Sequence, residues 1–325
     1  MNQKLSFLWI FVFSLAGCSQ SQPVKTNAVS SINFTSSLPM QYEFADQPAL
    51  PEGFGAGEFT MELWIKPDYT YPIGETWRGS YDQLNNWSES DRRPYSSHGW
   101  WYEGNWLLDG HTRPDGFDAF DTREGTFSLQ FYGGGRIRWM FADDDLEIPG
   151  KVYAVQAYPS SFVPSLLDGE WHHIACVRRW AEDGSTILEL WVDGRMIADT
   201  AIPGRVDMTV FWHNLPHPDN PSELGGWTWG AEVMTAWKTV FTQYEDYKGL
   251  MDELRFWNRA LTHDELENDW QRAVKGNEPG LIGWYDFSEV KNNAFYDLLN
   301  PNQKIELHHF SSENFSSESV PLVDL

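Results

Sequence analysis

Two cysteines in 325 residues leave little room for covalent cross-links. Cys18 ends an N-terminal apolar run and Cys176 sits inside the alternating run Ile174-Ala-Cys-Val177, so no disulfide is open to the folded part of the chain. A lone cysteine in such a run reads as a small buried hydrophobe, not a reactive thiol. Positive charge is equally scarce, with 23 Lys and Arg against 47 Asp and Glu and a formal net charge of −24. That excludes nucleic acid as a natural partner, because phosphates need a basic surface, and disfavours strongly anionic ligands unless a cation bridges them. Long hydrophobic runs are missing too. Leu5 to Ala16 is too short to span a bilayer, and no later stretch reaches spanning length.

The N-terminus has the order of a secretory signal: Lys4 as a positive start, the apolar run from Leu5 to Ala16, then Leu15-Ala-Gly-Cys18 at the cleavage site. That ending resembles a bacterial lipobox. The resemblance implies removal of residues 1–17, lipidation of Cys18, and a place in the bacterial cell envelope, on the outer membrane or cell surface, with the membrane as a partner through the lipid. Residues 18–37 are rich in Ser, Gln, Asn and Thr and suit a tether. Folded sequence is expected from residue 38.

What the chain has in abundance is aromatic rings: 18 Trp, 13 Tyr and 20 Phe. One interior seldom absorbs so many, so part of them is expected on a working surface. The organising stretch is Gly249-Leu-Met-Asp-Glu-Leu-Arg-Phe-Trp-Asn-Arg-Ala-Leu261 followed by Thr-His-Asp-Glu-Leu266. Its alternation places Leu250, Asp252, Leu254 and Phe256 on one face and Met251, Glu253, Arg255 and Trp257 on the other. Thr262 with Glu265 makes a capping box, and Leu261 with Leu266 a hydrophobic staple, so a short helix is expected from His263.

The remaining elements read as strands. Gly57 to Pro67 alternates as a half-buried strand, with Phe59, Met61, Leu63 and Ile65 on one face and Thr60, Glu62, Trp64 and Lys66 on the other. Thr126 to Ala142 is a hairpin turning at Gly133-Gly-Gly135, Trp171 to Arg179 a strand, and Thr186 to Ile197 a hairpin turning at Asp193-Gly194. Leu281 to Phe287 is a last strand, with Ile305 to Phe310 as its possible partner. There is no strand–helix alternation, so the fold class is all-β, an antiparallel β-sandwich with one short helix. A single domain over 38–325 is expected, with irregular insertions at about 69–125 and 203–248.

Four of these strands in order, Phe59-Thr-Met-Glu-Leu-Trp-Ile-Lys-Pro67, Gly169-Glu-Trp-His-His-Ile-Ala-Cys-Val177, Leu188-Glu-Leu-Trp-Val-Asp-Gly194 and Gly249 to Leu261, resemble the laminin-G-like domains of the concanavalin A-like lectin/glucanase superfamily. Gly280-Leu-Ile-Gly-Trp-Tyr-Asp-Phe287 resembles a strand common in bacterial domains of this kind. The resemblance implies a jelly-roll sandwich with one concave sheet. In the family a Ca²⁺ is frequent, and Asp252 is the matching position. The fold hosts lectins, adhesion modules, glycosidases and lyases, so function has to come from the site.

The hydrolases of this fold carry a Glu-x-Asp-x-x-Glu strand, and this chain has none, so no catalytic residue is assigned. Asp115, Asp118, Asp121 and Glu124 read as a solvated acidic loop, and His98, His111, His213 and His217 leave a lyase open without a motif for it. Asp143, Asp145 and their neighbours Asp144 and Glu147 form a hard-oxygen cluster that would suit Ca²⁺, though a charged hairpin end is the commoner reading. The fullest constellation is saccharide-like. Rings stack on the C–H faces of sugars while amides, carboxylates and Arg forks take the hydroxyls. Trp77, Trp87, Trp100, Trp101 and Trp106 stand beside Arg92, Asn105 and Asp109, with Trp212, Trp227 and Trp229 as a second wall. The expectation is a surface-anchored protein that binds carbohydrate without catalysis. A divergent glycoside hydrolase or polysaccharide lyase, and a protein-binding adhesion module, are the alternatives.

Overall fold

A computed structural model describes residues 30–34, 44–47, 50–68, 105–109, 127–132, 136–143, 151–156, 165–205, 216–217, 220–224, 227–230 and 247–323. In chain order the strands are β1 (Ser31–Phe34), β2 (Phe44–Gln47), β3 (Phe59–Pro67), β4 (Asn105–Asp109), β5 (Phe127–Tyr132), β6 (Arg136–Asp143), β7 (Lys151–Gln156), β8 (His172–Trp180) and β9 (Thr186–Val192). They continue as β10 (Arg195–Ile202), β11 (Pro216–His217), β12 (Asn220–Leu224), β13 (Trp227–Trp229), β14 (Gly249–Trp257), β15 (Leu281–Tyr285), β16 (Ala294–Tyr296), β17 (Lys304–His308) and β18 (Phe315–Ser316). Helix α1 (His263–Asn268) lies between β14 and β15. Among the described residues no helix is long and apolar enough to cross a membrane.

Two antiparallel eight-stranded sheets make a jelly-roll sandwich. The first runs β10-β9-β8-β3-β14-β1-β18, with β15 pairing the second half of β14, and the other runs β16-β17-β2-β13-β4-β5-β6-β7. The strands alternate, so each sheet turns one apolar row inward. Phe59, Met61, Leu63 and Ile65 from the first sheet meet Phe127, Leu129, Phe131 and Trp139 from the second in one buried cluster. Rings dominate this interior: Phe127 stacks on Trp227 at 4.5 Å, and Phe54 lies 4.6 Å from Phe59. Trp227 and Trp229 are 0 % and 1 % exposed. They are core and not a second ligand wall, because β13 runs between β2 and β4 in the middle of its sheet.

The first sheet is covered on both faces. Expected as half-buried, β3 is buried from Phe59 to Ile65, because α1 and the chain after it close the outer face over a second cluster of Ala175, Val177, Trp191, Trp257, Leu261, Leu266, Val274 and Leu281. The helix forms as its sequence directs. Thr262 and Glu265 make the reciprocal capping box, and the staple residues Leu261 and Leu266 both enter that cluster.

Strand β14 departs from plain alternation. Its register on β3 slips between Asp252 and Arg255, and Glu253 takes a left-handed φ of 51°, which is a β-bulge. The extra residue reverses the phase, so Met251, Leu254 and Phe256 share the inner core while Trp257 enters the outer cluster. The face assignment read from simple alternation is thus wrong for Asp252, which is opposite Trp64. The last strands differ from expectation as well. Leu281–Tyr285 pairs with β14, whereas Lys304–His308 lies between β16 and β2 in the other sheet.

Candidate functional site

Outside its core the second sheet carries an unusual face. In β5 the inward residues Phe127, Leu129 and Phe131 alternate with Ser128 and Gln130, and in β6 Ile137 and Trp139 flank Arg138. Alternation sends these polar side chains away from the core. They are nevertheless enclosed: Ser128 and Gln130 are 0 % exposed, Thr228 2 % and Arg138 3 %. Polar groups sequestered from water need partners. The Arg138 guanidinium forks onto one amide oxygen, with Nε and Nη2 donating to Gln130 Oε1 at 3.0 and 2.6 Å. Among the described residues Ser128 Oγ, which is buried, has no hydrogen-bond partner.

Register shows what stands beside them. One cross-strand row reads Asp46, Thr228, Asp109, Ser128, and the next reads Trp106, Gln130, Arg138, Gln156. A carboxylate, amides, hydroxyls and a guanidinium thus share a single face, with Trp106 and Asp109 at register positions in the same rows. Convergent polar groups of this kind are the recognition chemistry of polyhydroxylated ligands.

Of the residues expected at a ligand site, Asn105, Trp106 and Asp109 lie on β4, in the middle of the second sheet. Trp106 and Asp109 fall in the polar rows, and Asn105 is opposite the core residue Phe131. Trp77, Trp87, Arg92, Trp100, Trp101 and Trp212 lie outside the described residues, as do Cys18, the 115–124 acidic loop, His98, His111 and His213. Sequence reasoning missed Ser128, Gln130, Arg138 and Thr228. The signal was present, since the 127–132 alternation itself puts Ser128 and Gln130 on one face.

Among the described residues the calcium expectation meets no donor set that would hold the ion. Asp143 ends β6 in the second sheet, opposite Lys151, and Asp252 is on β14 in the first sheet; Asp145 lies outside the described residues. Asp252 is 3 % exposed, and its Oδ1 accepts the Glu253 N–H at 2.7 Å. Burial first, and then the charges of Glu253 and Asp286, push its carboxyl well above the usual carboxylate range. Among the described residues no group of three or more His, Cys, Asp or Glu is placed to hold a metal ion.

A second polar constellation lies under α1 on the outer face of the first sheet. Arg255 donates to Glu253 Oε2 from Nη2 at 2.8 Å and from Nε at 3.0 Å, and its Nη1 lies 3.3 Å from Glu62 Oε1. Trp257 Nε1 donates to Glu62 at 3.2 Å and Trp284 Nε1 to Glu253 at 3.0 Å, while His173 Nε2 lies 3.2 Å from Glu62 Oε2. Burial alone would raise the Glu62 pKa, but His173 and Arg255 outweigh it and hold it near 2. A carboxylate kept ionised and enclosed in this way binds the strands together; it neither accepts nor delivers protons near neutrality.

With the sandwich and its polar face described, residues 110–267 match a laminin-G-like family model, described as the concanavalin A-like lectin/glucanases superfamily. The match spans 158 of the 325 residues, from the segment before β5 into α1. No curated protein matches the chain in sequence. Among solved structures the domain is similar to a candidate carbohydrate binding protein from Bacteroides ovatus, at 14% identity and a TM-score of 0.46, over 91% of this chain and 62% of that one. It is also similar to the native heptameric SAP-like pentraxin from Limulus polyphemus, at 12% identity and a TM-score of 0.42, over 86% and 95% of the two chains. The CBM40 of the Ruminococcus gnavus IT-sialidase shares 11% identity and a TM-score of 0.42, over 73% and 95%. This chain thus spans less than two thirds of the Bacteroides protein, and at such scores the likeness carries nothing about what this chain binds.

Proposed function

We propose that this chain is a lipid-anchored protein of the bacterial cell surface whose laminin-G-like domain binds carbohydrate without catalysis. The ligand would lie on the face of the second sheet that carries Asp46, Thr228, Asp109, Ser128, Trp106, Gln130 and Arg138. The observation that supports this reading is the enclosed polar face itself. Four hydrogen-bonding side chains, each at most 3 % exposed, are grouped on the side of a sheet away from its core. Keeping hydroxyl, amide and guanidinium groups out of water is costly unless they serve one another or a ligand.

The chain connectivity supports it further. The Trp-rich stretch with Trp77, Trp87, Trp100 and Trp101 runs directly into β4, so its rings are tethered to the strand that bears Trp106 and Asp109. Arg92 from the same stretch and Trp212 from the second insertion complete the proposed contact set. Lipidation at Cys18 would hold the domain to the membrane through a polar tether shorter than the expected 18–37, because Ser31–Phe34 is strand β1, paired with β14.

A glycan array and affinity electrophoresis of the purified mature protein test the reading, together with assays for reducing ends and unsaturated products over the same polysaccharides. Retention without product is the expected result. Release of either product would replace binding with a hydrolase or lyase, and absence of retention on every glycan would favour a protein-binding module.

A further inference from the structure

His172 opens β8, and its imidazole is held between two carboxylates. Nδ1 lies 2.7 Å from Asp193 Oδ2 and Nε2 lies 3.0 Å from Asp168 Oδ1, with the side chain only 9 % exposed. An ionised carboxylate accepts hydrogen bonds and donates none, so both ring nitrogens have to donate, which the imidazolium alone can do. A neutral ring would turn a lone pair towards one of the two carboxylates at hydrogen-bond distance.

The two carboxylates belong to separate parts of the chain. Asp168 lies in the segment that leads into the first sheet, where its Oδ1 also accepts the Glu170 N–H at 2.9 Å. Asp193 forms the β9–β10 turn at a φ of 49°. Its Oδ1 accepts the His173 N–H at 2.8 Å and its own N–H donates to the His173 carbonyl at 3.0 Å. Beside it, Gly194 is packed so closely that a Cβ there would lie 2.6 Å from the Trp270 ring and 3.1 Å from the Glu267 carbonyl. Trp270 in turn stacks on Trp64 of β3 at 5.4 Å. On the other side of His172 the residue in register is Ile65, which carries no charge, and Glu170 is exposed.

We propose that His172 is a proton-operated clasp. When charged, it ties the chain entering β8 at Asp168 to the β9–β10 turn at Asp193, and through Gly194 it seats the Trp270 layer over the outer face of the first sheet. When neutral, it lets one carboxylate go and that layer loosens. The sign follows from the geometry and agrees with the electrostatics. Burial alone would favour the neutral ring, but the hydrogen bonds and charges of Asp193 and then Asp168 outweigh it and raise the pKa above 6.5. A raised histidine value means that the contribution is complete below the unfolded value and is lost as pH rises through the folded one.

The test follows the His172 ring by NMR in the full-length protein and in Asp168→Asn, a substitution at a half-exposed side chain, alongside unfolding equilibria of wild type and His172→Gln. Expected are a wild-type midpoint above that of a free histidine and a lower midpoint in Asp168→Asn. The wild-type advantage over His172→Gln should shrink as pH rises above the ordinary histidine value and through the elevated midpoint of the ring, by about tenfold in the folding constant for each pH unit of elevation. The near-UV circular dichroism of the Trp64–Trp270 pair should change with the same midpoint. If His172→Gln does not fold, the Asp168→Asn shift and the tryptophan signal decide the matter. A ring that titrates at or below the free value, or a tryptophan signal flat through its midpoint, would overturn the proposal.

Discussion

Arg255 is 2 % exposed and serves Glu62 and Glu253 at once. Removing it with Arg255→Met leaves Glu62 enclosed without its cation, and breaking a buried pair on one side typically costs about 3–5 kcal/mol. Denaturant unfolding of the variant should show a loss of that order, far beyond a surface substitution. The same network gives an acid signature. Glu62 titrates near 2 when folded against an ordinary 4.5, so a depressed carboxylate contributes stability that is complete above the ordinary value and is lost as pH falls towards 2. The stability difference between wild type and Glu62→Gln should therefore be constant from pH 7 to 5 and shrink below pH 4.5. A difference that grows on acidification would contradict the assignment. Alternation put Glu253, Arg255 and Trp257 on one face and Glu62 on the polar face of β3, but that Arg255 stands opposite Glu62 was not legible, because this register follows the β14 bulge.

At the scale of elements, the signals that proved legible were those written locally. The Thr262–Glu265 capping box, the Leu261–Leu266 staple and the Asp193–Gly194 turn depend on neighbours a few residues apart, and each forms as expected. Strand β4 was hidden because its register on β5 slips between Trp106 and Leu108. That slip puts Leu107 and Leu108 both in the core and erases the period of two by which a strand is recognised. Strand β13 is three residues long, too short for periodicity to register. The two hidden strands pair with each other in the middle of the second sheet. The turn glycines allow a direct comparison. Gly184 and Gly194 both have positive φ, 86° and 73°, but a Cβ meets nothing at Gly184 and the Trp270 ring at Gly194. Gly184→Ala should cost about 1 kcal/mol from backbone strain alone, and Gly194→Ala clearly more, with Trp270 displaced. Equal losses in thermal or chemical unfolding would show that the turn does not seat Trp270.

For the whole molecule, the charge balance and the position of the polar face point the same way. A net charge of −24 sets the domain against anionic partners at long range, while the second sheet gathers amide, hydroxyl, carboxylate and guanidinium groups with the Trp106 position on one side. Sequence pattern disclosed the sandwich, but it placed the functional emphasis on the insertions and overlooked that the second sheet carries its own polar rows. The reason is physical: polar residues alternating outward on a strand look solvated until the fold encloses them. The most direct measurement of the central claim is affinity electrophoresis of wild type, Trp106→Ala and Asp109→Ala on the polysaccharide that retains the protein best, with thermal unfolding run in parallel. Wild type should be retarded and both variants should lose at least about tenfold in affinity, as expected for a stacking ring or a charged hydrogen bond of about 1.4 kcal/mol or more, with unfolding midpoints close to wild type. Undiminished retention in both well-folded variants would show that the ligand does not lie on this face.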